Sequence, residues 1–445
     1  MDTPICDFVR AYAAQTPVRF HMPGHKGTGP LGFESLDITE IPGADVLYAP
    51  TGIIAASEAN ATALFGSAKT LYSTEGSSLC IRAMLYLAQL HAKANGRKPL
   101  VLAGRNAHKA FLSAVALLDV ETVWLYSDDA GVLSCAVTAD ALERHLSGMP
   151  EAPIAVYITS PDYLGNRADI AALAEVCHAH GALLLVDNAH GAYLKFMSTS
   201  QHPLDLGADL CCDSAHKTLP VLTGGAYLHI AKSAPQSLCA AANRALSLFA
   251  STSPSYLILQ SLDAANRALS DCYVNNIMSS CKVLSTLRGT LESDGWQTVG
   301  TEPLKLALAT KSRGYTGDAV AAHLARESIF VEFSDPDYIV FMFTESLPRN
   351  AAPALLNSLR SLLPCVPITG APPMLCRPAV ALSPREAMLA PAETVRIEQA
   401  VGRVLASTGV SCPPAVPILV CGEVIDEAAV AAFRYYGIET VSVVS

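Results

Sequence analysis

Short apolar runs alternate with helical patterns between about residues 55 and 235. The runs predict strands at residues 69–72, 100–103, 122–126, 154–159 and 183–186, and in the later string GGAYLHI. Ile170, Leu173 and Cys177 share one face of a predicted helix that ends at Gly181. This alternation is typical of an α/β fold in which helices cover both faces of a mostly parallel sheet. Because ligands of such sheets bind at the carboxyl ends of the strands, the functional residues are expected in the loops that follow them.

The remaining segments have different patterns. Residues 1–50 are rich in proline and glycine and predict an extended arm with turns. A mostly helical stretch at 255–292 is followed by a mixture of short strands and helices. After a proline-rich segment, residues 393–406 predict a helix, 417–420 a strand, and the last residues a helix and a strand. We therefore predict an arm (1–50), a large domain (51–292), a small α+β domain (293–368) and a C-terminal domain (369–445).

Composition narrows the class of protein. The 445-residue chain is 51% hydrophobic and 16% charged, which is unlike a disordered segment or a coiled coil. A chain this apolar is expected to bury part of its surface in a second copy of itself. Its formal net charge is −10 and it has no long run of lysine and arginine, so neither nucleic acid nor a membrane is an expected partner.

The 13 cysteines include no C-x-x-C pair, which favours free thiols in a reducing compartment. The first residues, MDTPICDFVR, lack the basic and apolar regions of a signal peptide. No uncharged apolar run approaches the roughly 18 residues that a membrane span needs. These observations predict a cytoplasmic protein.

Two loops that adjoin predicted strands carry a lysine and an aspartate. Lys217 lies in DSAHKT. Ser214 and His216 precede it, and an apolar strand follows. Asp187 ends an apolar strand in VDNAHGAY, where a buried carboxylate needs a partner. Pyridoxal phosphate requires a lysine that forms a Schiff base and an acid that pairs with its protonated pyridine nitrogen. Taken singly, a solvated lysine and an aspartate that caps a turn are the ordinary explanations.

Two further loops supply groups for a phosphate and a flat ring. Ser77 and Ser78 open a predicted helix in TEGSSL, where hydroxyls and backbone N–H groups bind a phosphate or simply cap the helix. His108 follows a predicted strand in GRNAHKAF, where its ring could stack on a planar cofactor. His21 and His25 have the spacing of a helical zinc pair, but the intervening Pro-Gly disfavours a helix, so no metal site is expected.

With these motifs assembled, the chain resembles the Orn/Lys/Arg decarboxylase family of fold-type I pyridoxal-phosphate enzymes. The resemblance runs nearly end to end, through the strings HMPGHKG, DITEIPGAD, GRNAHKAF, ITSPDYLG, VDNAHGAY, DSAHKT, STSPSYLILQSLDAA, EFSDPDYIVFMFT, LSPREAM and VCGEVI. The chain is similar to the short form, which lacks an N-terminal response-regulator-like domain. The resemblance implies decarboxylation of arginine, lysine or ornithine to the amine and CO2, in polyamine biosynthesis. It also implies a homodimer or higher homo-oligomer with shared active sites.

The resemblance implies a role for each site residue. Lys217 would hold pyridoxal 5′-phosphate as a Schiff base, Asp187 would pair with the pyridine nitrogen, and His108 would stack on the ring. His190 would lie beside the cofactor, and either Lys217 or His216 would return a proton to Cα. The phosphate would be held by Ser77, Ser78, Ser214, His216 and, across the dimer interface, Ser251 or Ser253.

The substrate pocket is less defined by sequence than the cofactor site. The distal cation of a basic amino acid needs a carboxylate, for which the candidates are Glu332, Asp335, Asp337 and Glu423. The chain departs from the family's usual pattern at Asn188, which follows Asp187, and at Tyr193, where a histidine is frequent. Two alternatives stay open: another fold-type I enzyme (an aminotransferase or an amino-acid lyase), or a non-catalytic relative that binds the cofactor and regulates a partner.

Overall fold

The computed structural model describes residues 1–127, 132–271, 273–374, 377–408, 411–412 and 416–445. Residues 375 and 376 of the proline-rich segment, and 413–415 before the predicted strand 417–420, lie outside the described residues. The chain divides into two compact units. The first comprises Met1–Pro99, Glu151–Val156 and Ile170–Asn275, and the second comprises Leu100–Pro150, Tyr157–Asp169 and Asn276–Ser445.

The described α-helices follow the apolar periodicity of the sequence. They are α1 Pro4–Ala14, α2 Ile53–Phe65, α3 Gly76–Ala94, α4 Lys109–Leu118, α5 Ala139–Gly148, α6 Ile170–Ala179, α7 Ala215–Thr218, α8 Gln236–Ser247, α9 Tyr256–Ser270, α10 Tyr273–Ser293, α11 Gly317–Arg326, α12 Ala351–Ser361, α13 Pro384–Leu389 and α14 Glu427–Tyr435.

The described strands include every strand predicted between residues 69 and 230. They are β1 Lys69–Ser73, β2 Leu100–Gly104, β3 Glu121–Leu125, β4 Ala155–Thr159, β5 Leu183–Asp187, β6 Leu210–Asp213, β7 Ala226–Ile230, β8 Gln297–Val299, β9 Lys305–Ala309, β10 Phe333–Ser334, β11 Tyr338–Met342, β12 Ala392–Arg396, β13 Ser411–Cys412, β14 Val416–Pro417 and β15 Thr440–Val444.

Seven strands form one sheet in the order β1-β7-β6-β5-β4-β2-β3. β5 is parallel to β6 and β2 is parallel to β3, whereas β7 runs antiparallel to both of its neighbours. The strands next to the site are wholly buried, which explains why they read as continuous apolar runs rather than alternating ones. The mostly parallel α/β fold predicted from the sequence is confirmed.

The prediction of an extended arm over residues 1–50 is wrong for residues 4–14, which form α1. Pro4 lies in the first turn of α1, where a missing N–H costs nothing, and Ile5 and Val9 bury one face of the helix. The carboxylate of Asp263 accepts the backbone N–H groups of Ile5 and Cys6, each at 2.9 Å. The proline therefore marks the start of a helix that is anchored by a distant acid.

In the second unit, β10, β11, β9 and β8 form an antiparallel sheet that contacts α11, and α11 in turn contacts α12. The predicted helix at 393–406 is wrong, because residues 392–396 form β12, paired antiparallel with β15, and a 3-10 turn follows at Ile397–Gln399. Thr394 and Val395 are β-branched, and a partner strand at the end of the chain decides in favour of their β preference. The predicted strand at 417–420 is reduced to the short β14.

The described residues also bear on the state of the cysteines and on membrane-spanning helices. The cysteines that the structure describes in atomic detail are all free thiols, as predicted. Among the described helices, none combines the length and the apolar composition needed to cross a membrane.

Candidate active site

The site begins at the carboxyl ends of two neighbouring strands. β5 ends at Asp187, which pairs in register with Cys212 of the parallel β6. Because the strands are parallel, the loops after Asp187 and after Asp213 leave the sheet at the same edge. The Asp187 side chain is 2% exposed, and its Oδ1 accepts the Ala189 N–H at 3.2 Å and the Cys212 thiol at 3.6 Å. The first loop therefore starts with a buried carboxylate, as predicted.

The second loop forms α7, and it carries Lys217. The Lys217 Nζ lies 3.0 Å from the Nε2 of His190, which belongs to the loop after β5. A hydrogen bond between two nitrogens requires that one of them offer a lone pair. Either the lysine ammonium donates to an unprotonated Nε2, or an Nε2–H donates to a neutral lysine amine. His216, beside Lys217, donates from Nδ1 to the carbonyl of Gly225 at 3.0 Å, since a carbonyl can only accept.

The third loop is the start of α3, whose first turn contains Ser77 and Ser78. The residue before the helix, Glu75, makes no side-chain cap, so the first N–H groups of this 19-residue helix are not capped by it. The hydroxyl of Ser214 donates to Ser77 Oγ at 2.7 Å, which joins this helix end to the loop of Lys217. The hydroxyls and helix N–H groups have the chemistry of an anion site.

Gly224 lies against the backbone at the start of α3. Gly224 accepts the N–H of Gly76 at 2.7 Å and has φ +99°. A Cβ at Gly224 would lie 2.9 Å from the carbonyl oxygen of Thr74. The close approach of two backbone segments therefore requires glycine at this position.

The remaining predicted residues, His108, Ser251 and Ser253, are hydrogen-bonded within their own units. His108 is in the second unit, where it caps α4 by accepting the Ala110 N–H at Nδ1 (3.0 Å). Ser251 donates its backbone N–H to Glu75 at 2.7 Å, and Ser253 donates its own to Ser251 Oγ at 3.1 Å. The stacking role of His108 and the reach of Ser253 into a second subunit stay predictions.

The four carboxylates considered for the distal cation each have a partner within the second unit. Glu423 is paired with Arg105 at 2.9 Å. Asp337 is paired with Lys311 at 2.7 Å. Of the other two, Glu332 accepts the hydroxyl of Tyr163, and Asp335 accepts the backbone N–H groups of residues 337 and 338. These partners give all four a structural role, so none is singled out for the substrate.

The residues brought together fit pyridoxal phosphate. An amine, a buried carboxylate and hydroxyls at a helix N-terminus are the donor set that the cofactor's aldehyde, ring nitrogen and phosphate require. Among the buried polar atoms that lack a hydrogen-bond partner within the described residues, two flank these loops: Asn188 Oδ1, next to Asp187, and Thr218 Oγ1, next to Lys217. Buried polar atoms of this kind are rare in folded proteins, and they flank the two residues that matter most.

Sequence reasoning missed a buried network behind these loops. Asp213, at the end of β6, accepts hydrogen bonds from His202 Nε2 (3.0 Å), His229 Nε2 (3.1 Å) and Asn188 Nδ2 (2.6 Å). The available signal was the same as for Asp187, namely an acid at the end of an apolar strand. Its partners lie 11, 16 and 25 positions away, so no local motif announces them.

Comparisons with known proteins concern the chain as a whole. Residues 3–306 match the family model described as Orn/Lys/Arg decarboxylase, major domain, and residues 371–440 match that of its C-terminal domain. Arginine decarboxylase of Bacillus subtilis (strain 168) is 29% identical, over 96% of this chain and 92% of the relative. Arginine decarboxylase of Halalkalibacterium halodurans is 30% identical, over 97% of this chain and 93% of the relative.

The fold is also similar to solved structures. The lysine decarboxylase of Francisella novicida superposes with a TM-score of 0.77 at 17% identity, over 100% of this chain and 81% of that chain. The constitutive lysine decarboxylase of E. coli gives a TM-score of 0.75 at 19% identity, over 100% and 82% of the two chains. At these identities the likeness concerns the fold.

Proposed function

The chain belongs to the Orn/Lys/Arg decarboxylase family, and we propose that it removes the α-carboxylate of arginine to give agmatine and CO2. Membership makes it a pyridoxal-phosphate-dependent decarboxylase of basic amino acids. The choice of arginine is supported by the two relatives named above, both arginine decarboxylases that align with nearly the whole chain. A lysine decarboxylase of Pseudomonas aeruginosa aligns with 64% of the chain at 23% identity, which supports lysine less strongly.

The assignment of the cofactor site rests on the 3.0 Å contact between Lys217 and His190 beside the buried carboxylate of Asp187. Lys217 Nζ is the amine that would attach the cofactor. A lysine ammonium must lose a proton before it can act as a nucleophile, and His190 Nε2 is placed to accept it. Asp187 would hold a proton on the ring nitrogen, because its buried negative charge needs a positive partner.

When bound, pyridoxal phosphate supplies an electron sink for the electron pair that the departing carboxylate leaves behind. The hydroxyls of Ser77, Ser78 and Ser214, with His216, would hold the phosphate at the start of α3. Either Lys217 or His216 would return the proton to Cα, since both lie on the same short helix. In this proposal His108 keeps its role as the ring that stacks on the cofactor.

We also propose a homodimer with shared active sites, to which Ser253 of each chain contributes. The first 33 residues support it, because Val18, Phe20 and Leu31 are 83%, 94% and 69% exposed. Apolar side chains that are exposed together in one segment are typical of a surface that another chain covers. Light scattering after gel filtration should give twice the mass of the chain or a higher multiple, and a monomer would contradict the proposal.

Product analysis tests the function. Purified protein with pyridoxal phosphate is incubated separately with arginine, lysine and ornithine, and the amines are identified by mass spectrometry. We expect agmatine from arginine as the main product. Cadaverine or putrescine as the main product would change the substrate, and bound cofactor without any amine would favour the lyase, aminotransferase or regulatory alternatives.

A substitution tests the site. Lys217→Ala should remove both the visible absorbance of the bound cofactor and all turnover. Lys232→Ala is the matched control, because Lys232 is an exposed lysine in the segment after β7. Turnover that survives Lys217→Ala would refute the site assignment.

A further inference from the structure

Asp213 is a fully buried carboxylate with four side-chain donors. Its Oδ2 accepts from His202 and His229, and its Oδ1 accepts from Asn188 and, at 3.8 Å, from the thiol of Cys211. Both imidazoles and the amide are themselves 0% exposed. Burial by itself would raise the pKa of Asp213, but the two imidazoles beside it hold that pKa below its usual range. The group is therefore an anion inside the protein, stabilised by hydrogen bonds.

The same side chains, together with Cys211, offer ligand atoms that all lie within 4.8 Å of one another, a set that zinc can bind. The hydrogen bonds favour a cluster without a metal ion. His202 Nδ1 accepts the backbone N–H of Leu204 at 3.4 Å, so the neutral ring carries its proton on Nε2, which would have to be the metal ligand. Burial also raises the pKa of the Cys211 thiol well above its ordinary value, which keeps it protonated. The cluster is thus a hydrogen-bonded network.

The network lies between the two loops of the cofactor site. Asn188 is in the loop after β5, and its backbone N–H and C=O bond to Cys212 and Gly191 at 3.0 and 2.8 Å. This turn presents His190 to Lys217. On the other side, the residue after Asp213 is Ser214, which reaches Ser77. A single carboxylate thus connects both groups of contacts.

We propose that Asp213 is a positioning residue: held by His202 and His229, it fixes Asn188 and so the turn that sets His190 against Lys217. The inference rests on the proposed function and adds a residue that does not touch the cofactor. The charge on Asp213 also orients the Asn188 amide, since only the NH2 group can face a carboxylate. This leaves Asn188 Oδ1 on the opposite side.

A charge exchange tests the proposal. Asn188→Asp sets a second carboxylate about where the amide lies, 2.6 Å from Asp213, and should weaken pyridoxal-phosphate affinity at least about tenfold. Adding Asp213→Asn restores a donor–acceptor pair in the reverse direction, and affinity should return to within about threefold of the original protein. Affinity is measured by absorbance titration of cofactor-free protein, beside kcat and KM for arginine. An unaffected Asn188→Asp, or a double variant no better than the single one, would overturn the proposal.

A second comparison applies if Asn188→Asp does not fold. Asp213→Asn alone forces the Asn188 amide to turn over and should weaken cofactor affinity about tenfold. The matched control is Asp209→Asn, at the other end of β6, where Asp209 accepts from His178 (3.0 Å) and Leu184 N–H (2.8 Å). The control should lower the melting temperature comparably while leaving affinity within about twofold. Equal loss of affinity in both variants, or about one zinc per chain in the purified protein, would overturn the inference.

Different results would refute the cofactor site at Lys217 and the positioning role of Asp213. Turnover by Lys217→Ala would refute the cofactor site and, with it, the context of this inference. If Lys217→Ala behaves as expected but the exchange at Asn188 and Asp213 shows no coupling, only the positioning role is wrong.

Discussion

Glu58, on α2, is a buried carboxyl whose ionisation should oppose folding. It is 6% exposed, and its Oε1 accepts the backbone N–H of Tyr72 at 2.9 Å. Burial raises its pKa from the ordinary 4.5 to about 8, and the Tyr72 hydrogen bond and the charge of Lys69 only partly counteract this. The folded protein therefore keeps Glu58 protonated at neutral pH.

The direction of the pH effect follows from linkage. Because the folded pKa lies above the unfolded one, the folded state binds more protons between pH 4.5 and 8, and stability falls as pH rises through that window. Each pH unit in the window corresponds to about 1.4 kcal/mol, so from pH 5 to pH 8 the loss is about 3–4 kcal/mol. Glu58→Gln abolishes this loss, since the amide keeps an acceptor for Tyr72 and has no charge.

The assay is urea unfolding of both proteins at pH 5 and pH 8. We expect Glu58→Gln to gain about 3–4 kcal/mol relative to the original protein between the two pH values. Glu121→Gln is the control, because Glu121 is an exposed carboxyl on β3 and its loss should leave the pH dependence unchanged. Parallel stability curves for the original protein and Glu58→Gln would refute the reasoning, because they would mean that Glu58 is charged in the folded state.

Three further substitutions have definite expectations. Asp45 accepts five backbone N–H groups, which lower its pKa despite burial. Asp45→Asn should therefore cost about 2 kcal/mol at pH 7 and progressively less as pH falls below 4, and a cost that does not shrink in acid would contradict this. Asp263→Ala removes the acceptor for two backbone N–H groups of α1 and for the hydroxyl of Ser57. It should lower the free energy of unfolding in urea by about 3 kcal/mol. Unchanged stability would mean that α1 is held by packing alone. Gly224→Ala places a methyl group 2.9 Å from the Thr74 carbonyl oxygen and should weaken cofactor affinity about tenfold. Gly96→Ala is the control, because Gly96 also has a positive φ but a Cβ there would have nothing within 4 Å, so cofactor affinity should not change. Equal cofactor affinities of the two variants would refute the role of Gly224.

Much of the fold and of the cofactor site was predictable because the signals are local. Buried parallel strands are continuous apolar runs, so the strand that ends at Asp187 could be read directly, whereas β6, which ends at Asp213, was not predicted. Polar residues that follow such strands must lie at one edge of a parallel sheet, which is why Lys217 and the loop of His190 were expected to be near each other. The 3.0 Å contact between the two nitrogens is a detail that only the structure provides.

Two predictions of secondary structure were wrong, and in both segments the observed structure involves residues far away in the sequence. Residues 4–14 become a helix whose first turn is held by Asp263, more than 250 positions away. Residues 392–396 become a strand because the chain's last strand, β15, pairs with them. In both segments, contacts with residues far along the chain contribute to the observed structure.

The sequence by itself determined the α/β class, most of the strand ends and the chemical identity of the groups in the candidate cofactor site. It did so because hydrophobic periodicity and short motifs are properties of neighbouring residues. Only the tertiary structure decided which acids are committed to internal partners, as Glu423 is to Arg105, and which carboxylate joins the loops, as Asp213 does through Asn188. The physical reason is that a buried charge persists only where donors converge on it, and those donors come from strands and turns far apart in the chain.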